Sequence, residues 1–276
     1  MNSLLVATRF SSSTLTTMIV VALVCTAVPF LLLAYYRVKT SAKISSFFVG
    51  MGFYALFYFV AQGLLNAFLF NVCNLKDVFN MSTHPIWYTL YGALVAGIFG
   101  FMGKYIGLRF AMKTRTGKDN GLVFGAGYGG FETIAFGSSM IMGNVILAFM
   151  VNSLGMDEYI AKLGLTGKEL TEFQNGLQQL MAVPAMEYVS QGIEQMLTLF
   201  FQTALAILLY LGIHGQNEKR LFPICVVLEI LYYVPVYLTR AGIIENPMIN
   251  LGIAGAIAVL TAAYAYRRFF LTPEEV

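Results

Sequence analysis

Histidine is almost missing from this chain, with two residues in 276, and cysteine is scarce, with three. His84 and His214 fall at the ends of apolar stretches, and Cys25, Cys73 and Cys225 are scattered without a CxxC spacing. These counts exclude a disulfide framework, a structural zinc site and an all-histidine metal centre. Charge is equally sparse: Asp, Glu, Lys and Arg make up 11% of residues, while 58% are hydrophobic and the mean hydropathy is +0.72. A water-soluble domain of this length cannot hide that much apolar surface in one core. The net charge of +3 is modest, and it gives no reason to expect a nucleic-acid partner. Internal repeats, low-complexity tracts and lipidation signals are also missing.

What is abundant is apolar sequence in tracts long enough to cross a bilayer as helix, about 20 residues each at roughly 1.5 Å per residue. Seven such tracts are expected, over 12–36, 44–70, 85–112, 121–154, 186–213, 221–238 and 248–266. The fourth is overlong and glycine-rich, so a kink or a tilted extension is expected there. The fold class is therefore all-α: a polytopic membrane helix bundle in a single domain covering 1–276, with lipid as its surroundings. Twelve of the 17 Lys and Arg residues fall in loops after spans one, three and five and at the C-terminus. By the positive-inside tendency the N-terminus is outside and the C-terminus inside, which requires an odd number of spans. The first span has no basic segment before it and is followed by YYRVKTSAK, so it reads as a retained helix. Lys104 and Arg109, near the inner end of span three, are expected to reach toward the headgroups. The connection 155–185 is expected to lie outside and to form short amphipathic helices, with TGKE at 166–169 as a helix-start capping box.

Function is sought in the polar groups inside the spans, because a carboxylate at mid-bilayer costs a few kcal/mol and is normally turned inward, paired or neutralised. The segment GAGYGGFETIAFG at 125–137 sets Glu132 among five glycines, with Tyr128 four residues earlier on the same helical face. Gly125 and Gly129 form a GxxxG that admits a close helix neighbour. In span five, Glu187, Gln191, Glu194, Thr198 and Gln202 recur at helical spacing as a polar stripe. In span six, Glu229 and Tyr233 are four apart and Pro235 follows. Lipid is a poor destination for any of these stripes, so spans four, five and six are expected to share a polar cavity. Gln62 and Asn66 of span two are candidates for the same cavity, or for packing hydrogen bonds. The aromatic run FYALFYF reads as lipid-facing bulk.

Three stretches, GYGGFE at 127–132, EQMLTLFFQTALA at 194–206 and EILYYVP at 229–235, resemble in order and spacing the motif regions of the YhfC family. Those proteins are intramembrane peptidases related to the CAAX-processing and PrsW glutamic membrane proteases. The family pattern is G-H-G-G-x-E, then a Glu-Arg pair with a histidine eight residues after the glutamate, then a histidine followed four residues later by an aspartate. Glu132 and Glu194 match the family's glutamates. Tyr128, Gln202 and Glu229 stand where its histidines are expected, Gln195 where its arginine is, and Tyr233 where its aspartate is.

The resemblance implies a bacterial cytoplasmic membrane and hydrolysis of a transmembrane or membrane-associated polypeptide. Peptide hydrolysis needs a base for the water, an acid for the leaving nitrogen and donors for the oxyanion. Here the candidate catalytic residues are Glu132, Glu194, Glu229, Tyr128, Gln202 and Tyr233. A carboxylate pair is the substitute for the missing histidines, with Glu132 and Glu194 sharing a cavity, one protonated and the other acting as base. Without imidazole a transition metal loses its preferred ligands, so no metal and no cofactor is expected. Two other classes stay open: an inactive scaffold that binds a partner helix through the glycine faces, and a proton-coupled transporter that relays protons along the carboxylates.

Overall fold

A computed structural model describes residues 9–115, 117–215 and 218–271. Among the described residues the chain is entirely helical, with seven helices long and apolar enough to cross a membrane. We label the helices α1 (Ser12–Lys39), α2 (Ser45–Val72), α3 (Pro85–Ala111), α4 (Lys118–Leu154), α5 (Met156–Leu163), α6 (Gly167–Ala182), α7 (Ala185–His214), α8 (Leu221–Arg240) and α9 (Pro247–Leu271). Every sequence-expected span is present, and each boundary lies within a few residues of its expected place. Helices are the natural outcome, since a spanning segment without water must satisfy its backbone polar groups internally.

Local chemistry sets the ends. Pro85 and Pro247 open α3 and α9, where a missing N–H costs nothing. Gly155, Gly164 and Gly242 sit at positive φ in the turns that follow or precede helices, and Gly167, also at positive φ, opens α6. The 155–185 connection forms the two amphipathic helices α5 and α6, and Thr166 occupies the N-cap of α6 without a side-chain capping bond.

Wider π-helical turns interrupt α2 over Leu56–Gln62 and Phe68–Val72, α3 over Gly107–Ala111 and α4 over Thr133–Ser139. The long fourth span is thus one helical run with a π segment beginning directly after Glu132, and π turns of this kind re-aim side chains at functional positions.

Packing divides the chain into two compact units, one of Met1–Thr26 with Ile134–Gly192, the other of Ala27–Thr133 with Ile193–Val276. In the first, Asn152 clasps the backbone of Phe10, accepting its N–H at 2.8 Å and donating to its carbonyl at 3.1 Å. The hydroxyls of Thr26 and Ser138 pair at 2.6 Å.

The second unit carries the polar centre, and glycine makes its close packing possible. A Cβ on Gly127 of α4 would lie 1.9 Å from the Phe47 carbonyl oxygen of α2, and one on Gly50 would lie 2.1 Å from that of Phe124. The expected GxxxG faces α7: a Cβ on Gly125 would meet Thr203 Cα at 2.9 Å, and one on Gly129 would meet the Leu199 carbonyl at 3.0 Å. Gly97 brings α3 equally close to α8, with Ile230 Cα at 2.9 Å from the would-be Cβ. The most apolar window of α7 is 78% buried, against 39% or less for every other span, so α7 is the enclosed helix around which polar groups can be hidden from lipid.

Candidate functional site

The polar centre is built by four helices of the second unit: Lys104 from α3, Tyr128 and Glu132 from α4, Gln202 from α7, and Glu229 and Tyr233 from α8. Lys104, Gln202 and Glu229 have no solvent-exposed surface, and Glu132 and Tyr128 are buried. The amide of Gln202 is the hub. Its Nε2 lies 3.0 Å from Glu132 Oε2, 3.0 Å from Glu229 Oε1 and 2.9 Å from the Tyr233 hydroxyl. Two amide hydrogens therefore serve three acceptors. On its other side Gln202 Oε1 accepts from Lys104 Nζ, which also donates to Glu229 Oε1 at 2.9 Å. The Tyr233 hydroxyl donates to Glu132 Oε1 at 2.6 Å.

The surroundings fit these groups tightly. Lys104 Nζ lies 4.4 Å from the centre of the Tyr128 ring, so the aromatic face takes up a side of the ammonium that has no oxygen partner. The Tyr128 hydroxyl donates to the Gly100 carbonyl at 3.1 Å. Gly100 is required here, since a Cβ would come within 2.5 Å of Glu229 Oε1. Among the described residues Glu229 Oε2 is buried with no hydrogen-bond partner. A void of about 10 Å³, about the space one water needs, lies beside the centre and is lined in part by Gly100, Tyr128, Tyr233 and Tyr54.

Five of the six sequence candidates, Glu132, Glu229, Gln202, Tyr233 and Tyr128, thus meet in one place. Glu194 does not join them. Its Oε2 accepts from Asn250 Nδ2 of α9 at 3.1 Å, and the carboxylate that shares a donor with Glu132 is Glu229. The stripe along span five divides: Glu194 bonds Asn250, Thr198, one turn on, bonds Tyr232 at 2.8 Å, and Gln202 enters the centre.

Lys104 is the residue that sequence reasoning placed wrongly. It does not extend to the headgroups but lies fully buried in the centre, because Glu229 and Gln202 supply the partners that lipid-level burial of an ammonium demands. A signal was available: Lys104 shares a helical face with Gly97, Gly100 and Gly107, a face of small residues made for close contact. The aromatic run is also only partly lipid-facing. Phe59 is exposed, but Tyr54 is buried, with its ring 5.1 Å from that of Tyr128.

Seven helices long and apolar enough to cross a membrane, with two carboxylates meeting on one buried amide inside the second unit, define a polytopic membrane protein with a buried polar site. Within that class, residues 24–254 match the YhfC intramembrane metalloprotease family, and the chain belongs to it. It is 30% identical over 238 residues, 86% of each chain, to a Bacillus subtilis (strain 168) protein described as uncharacterized membrane protein YhfC. No solved structure matches.

The family description implies a metal ion, and the residues gathered here do not fit one. The centre offers two carboxylates, an amide and two tyrosines, without imidazole or thiolate. Lys104 already places a cation against Glu229, and an ammonium has no lone pair to offer a metal. Among the described residues no three His, Cys, Asp or Glu side chains come together.

Proposed function

We propose that this chain is a membrane peptidase whose centre works through carboxylates without a metal, with Glu132 as the general base. The observation that carries this reading is the convergence of Glu132 and Glu229 on the single amide of Gln202, in a buried site next to a water-sized void. Glu132 is the carboxylate free to act. Its partners are the neutral donors Tyr233 and Gln202, whereas Glu229 is tied to the Lys104 ammonium.

In this scheme Glu132 takes a proton from a water in the void as the water oxygen attacks the scissile carbonyl carbon. The same carboxyl then returns that proton to the leaving amide nitrogen as the C–N bond breaks. Tyr233 and Tyr128 line the void, and their hydroxyls, by turning from Glu132 and the Gly100 carbonyl, can donate to the oxyanion, where low surrounding polarity strengthens each bond. Glu229 and Lys104 act through Gln202: the ion pair fixes the amide, and the amide orients Glu132.

The deciding experiment is cleavage of a transmembrane reporter by purified protein in proteoliposomes, wild type against Glu132→Gln. Loss of cleavage with an unchanged melting temperature supports the scheme; equal cleavage by both removes it. A second reading, a family member that binds membrane polypeptides without cutting them, is favoured by one observation. Lys104, Gln202, Glu229, Glu132 and Tyr233 close a hydrogen-bonded network that leaves room for about 10 Å³ of solvent. It predicts no turnover in the same assay alongside stable capture of the reporter.

A further inference from the structure

A second and larger cavity lies in the same unit, and the chemistry proposed for Glu132 does not use it. It measures about 300 Å³, at the lower end of ligand-pocket volumes, and is walled by aromatic rings that include Tyr58, Tyr88, Tyr91 and Tyr237. Its charged lining is of one sign. Lys76, in the connection after α2, and Arg240, in the last turn of α8, both border it and are both exposed. No acidic residue lines it; Asp77, next to Lys76 in the chain, is outside the lining. Among the described residues neither cation has a carboxylate within ion-pair distance, and Arg240 rests 5.2 Å over the Tyr237 ring. Glu194 acts on Arg240 only at longer range.

The deep end makes a different demand. Gln62 is 7% exposed, and its Oε1 is buried without a hydrogen-bond partner among the described residues. A buried amide oxygen left unpaired costs about 1–3 kcal/mol, so an N–H or O–H donor belongs there. The neighbouring Asn66 does not supply it: its oxygen accepts from the Tyr91 hydroxyl, and no bond from its amide reaches Gln62 Oε1 among the described residues. Gln62 and Tyr58 also line the small void bordered by Tyr233, whose hydroxyl bonds Glu132, so the same pair of side chains stands between the large cavity and the void next to the polar centre.

We infer that this cavity holds a carboxylate-bearing segment of a polypeptide, the carboxylate between Lys76 and Arg240 and a backbone N–H of the segment on Gln62 Oε1. A polypeptide is favoured over a lipid headgroup because it supplies both groups at once and continues past Gln62 and Tyr58 toward Glu132. The inference deepens the peptidase reading, on which it rests for the class of ligand. The carboxylate comes either from an acidic side chain or from the chain end.

Full-length protein in phosphatidylcholine nanodiscs is titrated with three short alanine–leucine peptides carrying an uncharged fluorophore. One is amidated and neutral, one ends in a free carboxylate, and one is amidated with an internal glutamate. At least one carboxylate peptide binds about tenfold tighter than the neutral one, and which of them does so names the source. That advantage disappears in the double variant Lys76→Gln, Arg240→Gln. Equal binding of all three peptides by wild type overturns the inference without recourse to any variant. So does an advantage that survives the double substitution, or displacement of the peptide when phosphatidylglycerol is added to the nanodisc, which assigns the cavity to lipid. The titration is repeated on Glu132→Gln. A carboxylate preference there, combined with unimpaired cleavage by that variant, upholds the cavity and removes Glu132 as base.

Discussion

The Lys104 ammonium lies 2.9 Å from Glu229 Oε1, with both side chains shut off from solvent. A buried pair of this kind repays the desolvation of two charges only if both partners stay, and removing one leaves an uncompensated ion. Lys104→Met is therefore expected to destabilise the protein by ~3–5 kcal/mol, with Glu229 stranded among apolar groups. Pairing it with Glu229→Leu is expected to restore much of the loss. Thermal melting in detergent of the two single variants and the double variant gives the coupling; additive losses would falsify the pair.

Most of the scaffold is legible from composition and tract length, because a spanning helix in lipid has no alternative way to satisfy its backbone. Glu132, Gln202, Glu229 and Tyr233 are legible for a related reason: each is a polar group in a tract with nowhere polar to go but inward. Lys104 and Glu194 were misplaced because their destinations depend on helix rotation and depth, which spacing along a single helix does not fix. A lysine near a helix end has the headgroups within reach, and only the glycine face of α3, with Gly97 and Gly100 set against α8, betrays that this one is turned into the bundle.

Glu132 and Glu194 make opposite predictions under substitution, although the sequence resemblance treats them alike. Glu132 accepts from Tyr233 and Gln202 in the centre, while Glu194 accepts from Asn250. In the reconstituted cleavage assay Glu132→Gln is expected to lower turnover by about 10²-fold or more, the usual contribution of a general base. Glu194→Gln is expected to stay within a few-fold of wild type. A reversed order would move the chemistry to Glu194 and its neighbours on α7 and α9.

Helix spacing offers a prediction free of chemistry. Gly127→Val would drive a side chain into the Phe47 carbonyl, 1.9 Å from the new Cβ, and backbone cannot give way as a flexible side chain can. Loss of folded protein on size-exclusion chromatography is expected. Gly52→Val, two residues beyond Gly50 on α2 but exposed and with nothing within 4 Å of its Cβ, is expected to behave as wild type. Equal tolerance of the two substitutions would mean that α2 and α4 do not meet at Gly127.

The sharpest departure from the family description concerns metal. Zinc binding with useful affinity draws on imidazole, thiolate or several carboxylates around an open coordination position. Here Gln202 and Tyr233 are weak ligands, and the Lys104 ammonium would repel a second cation while holding the very oxygen of Glu229 that a metal would use. Protein purified without chelator is accordingly expected to carry far less than one equivalent of zinc, cobalt or manganese by elemental analysis. Prolonged EDTA treatment is expected to leave both cleavage and melting temperature where they were. Stoichiometric metal whose removal stops cleavage would require Lys104 to swing out of the centre, and the same sample would then have to tolerate Lys104→Met without loss of stability.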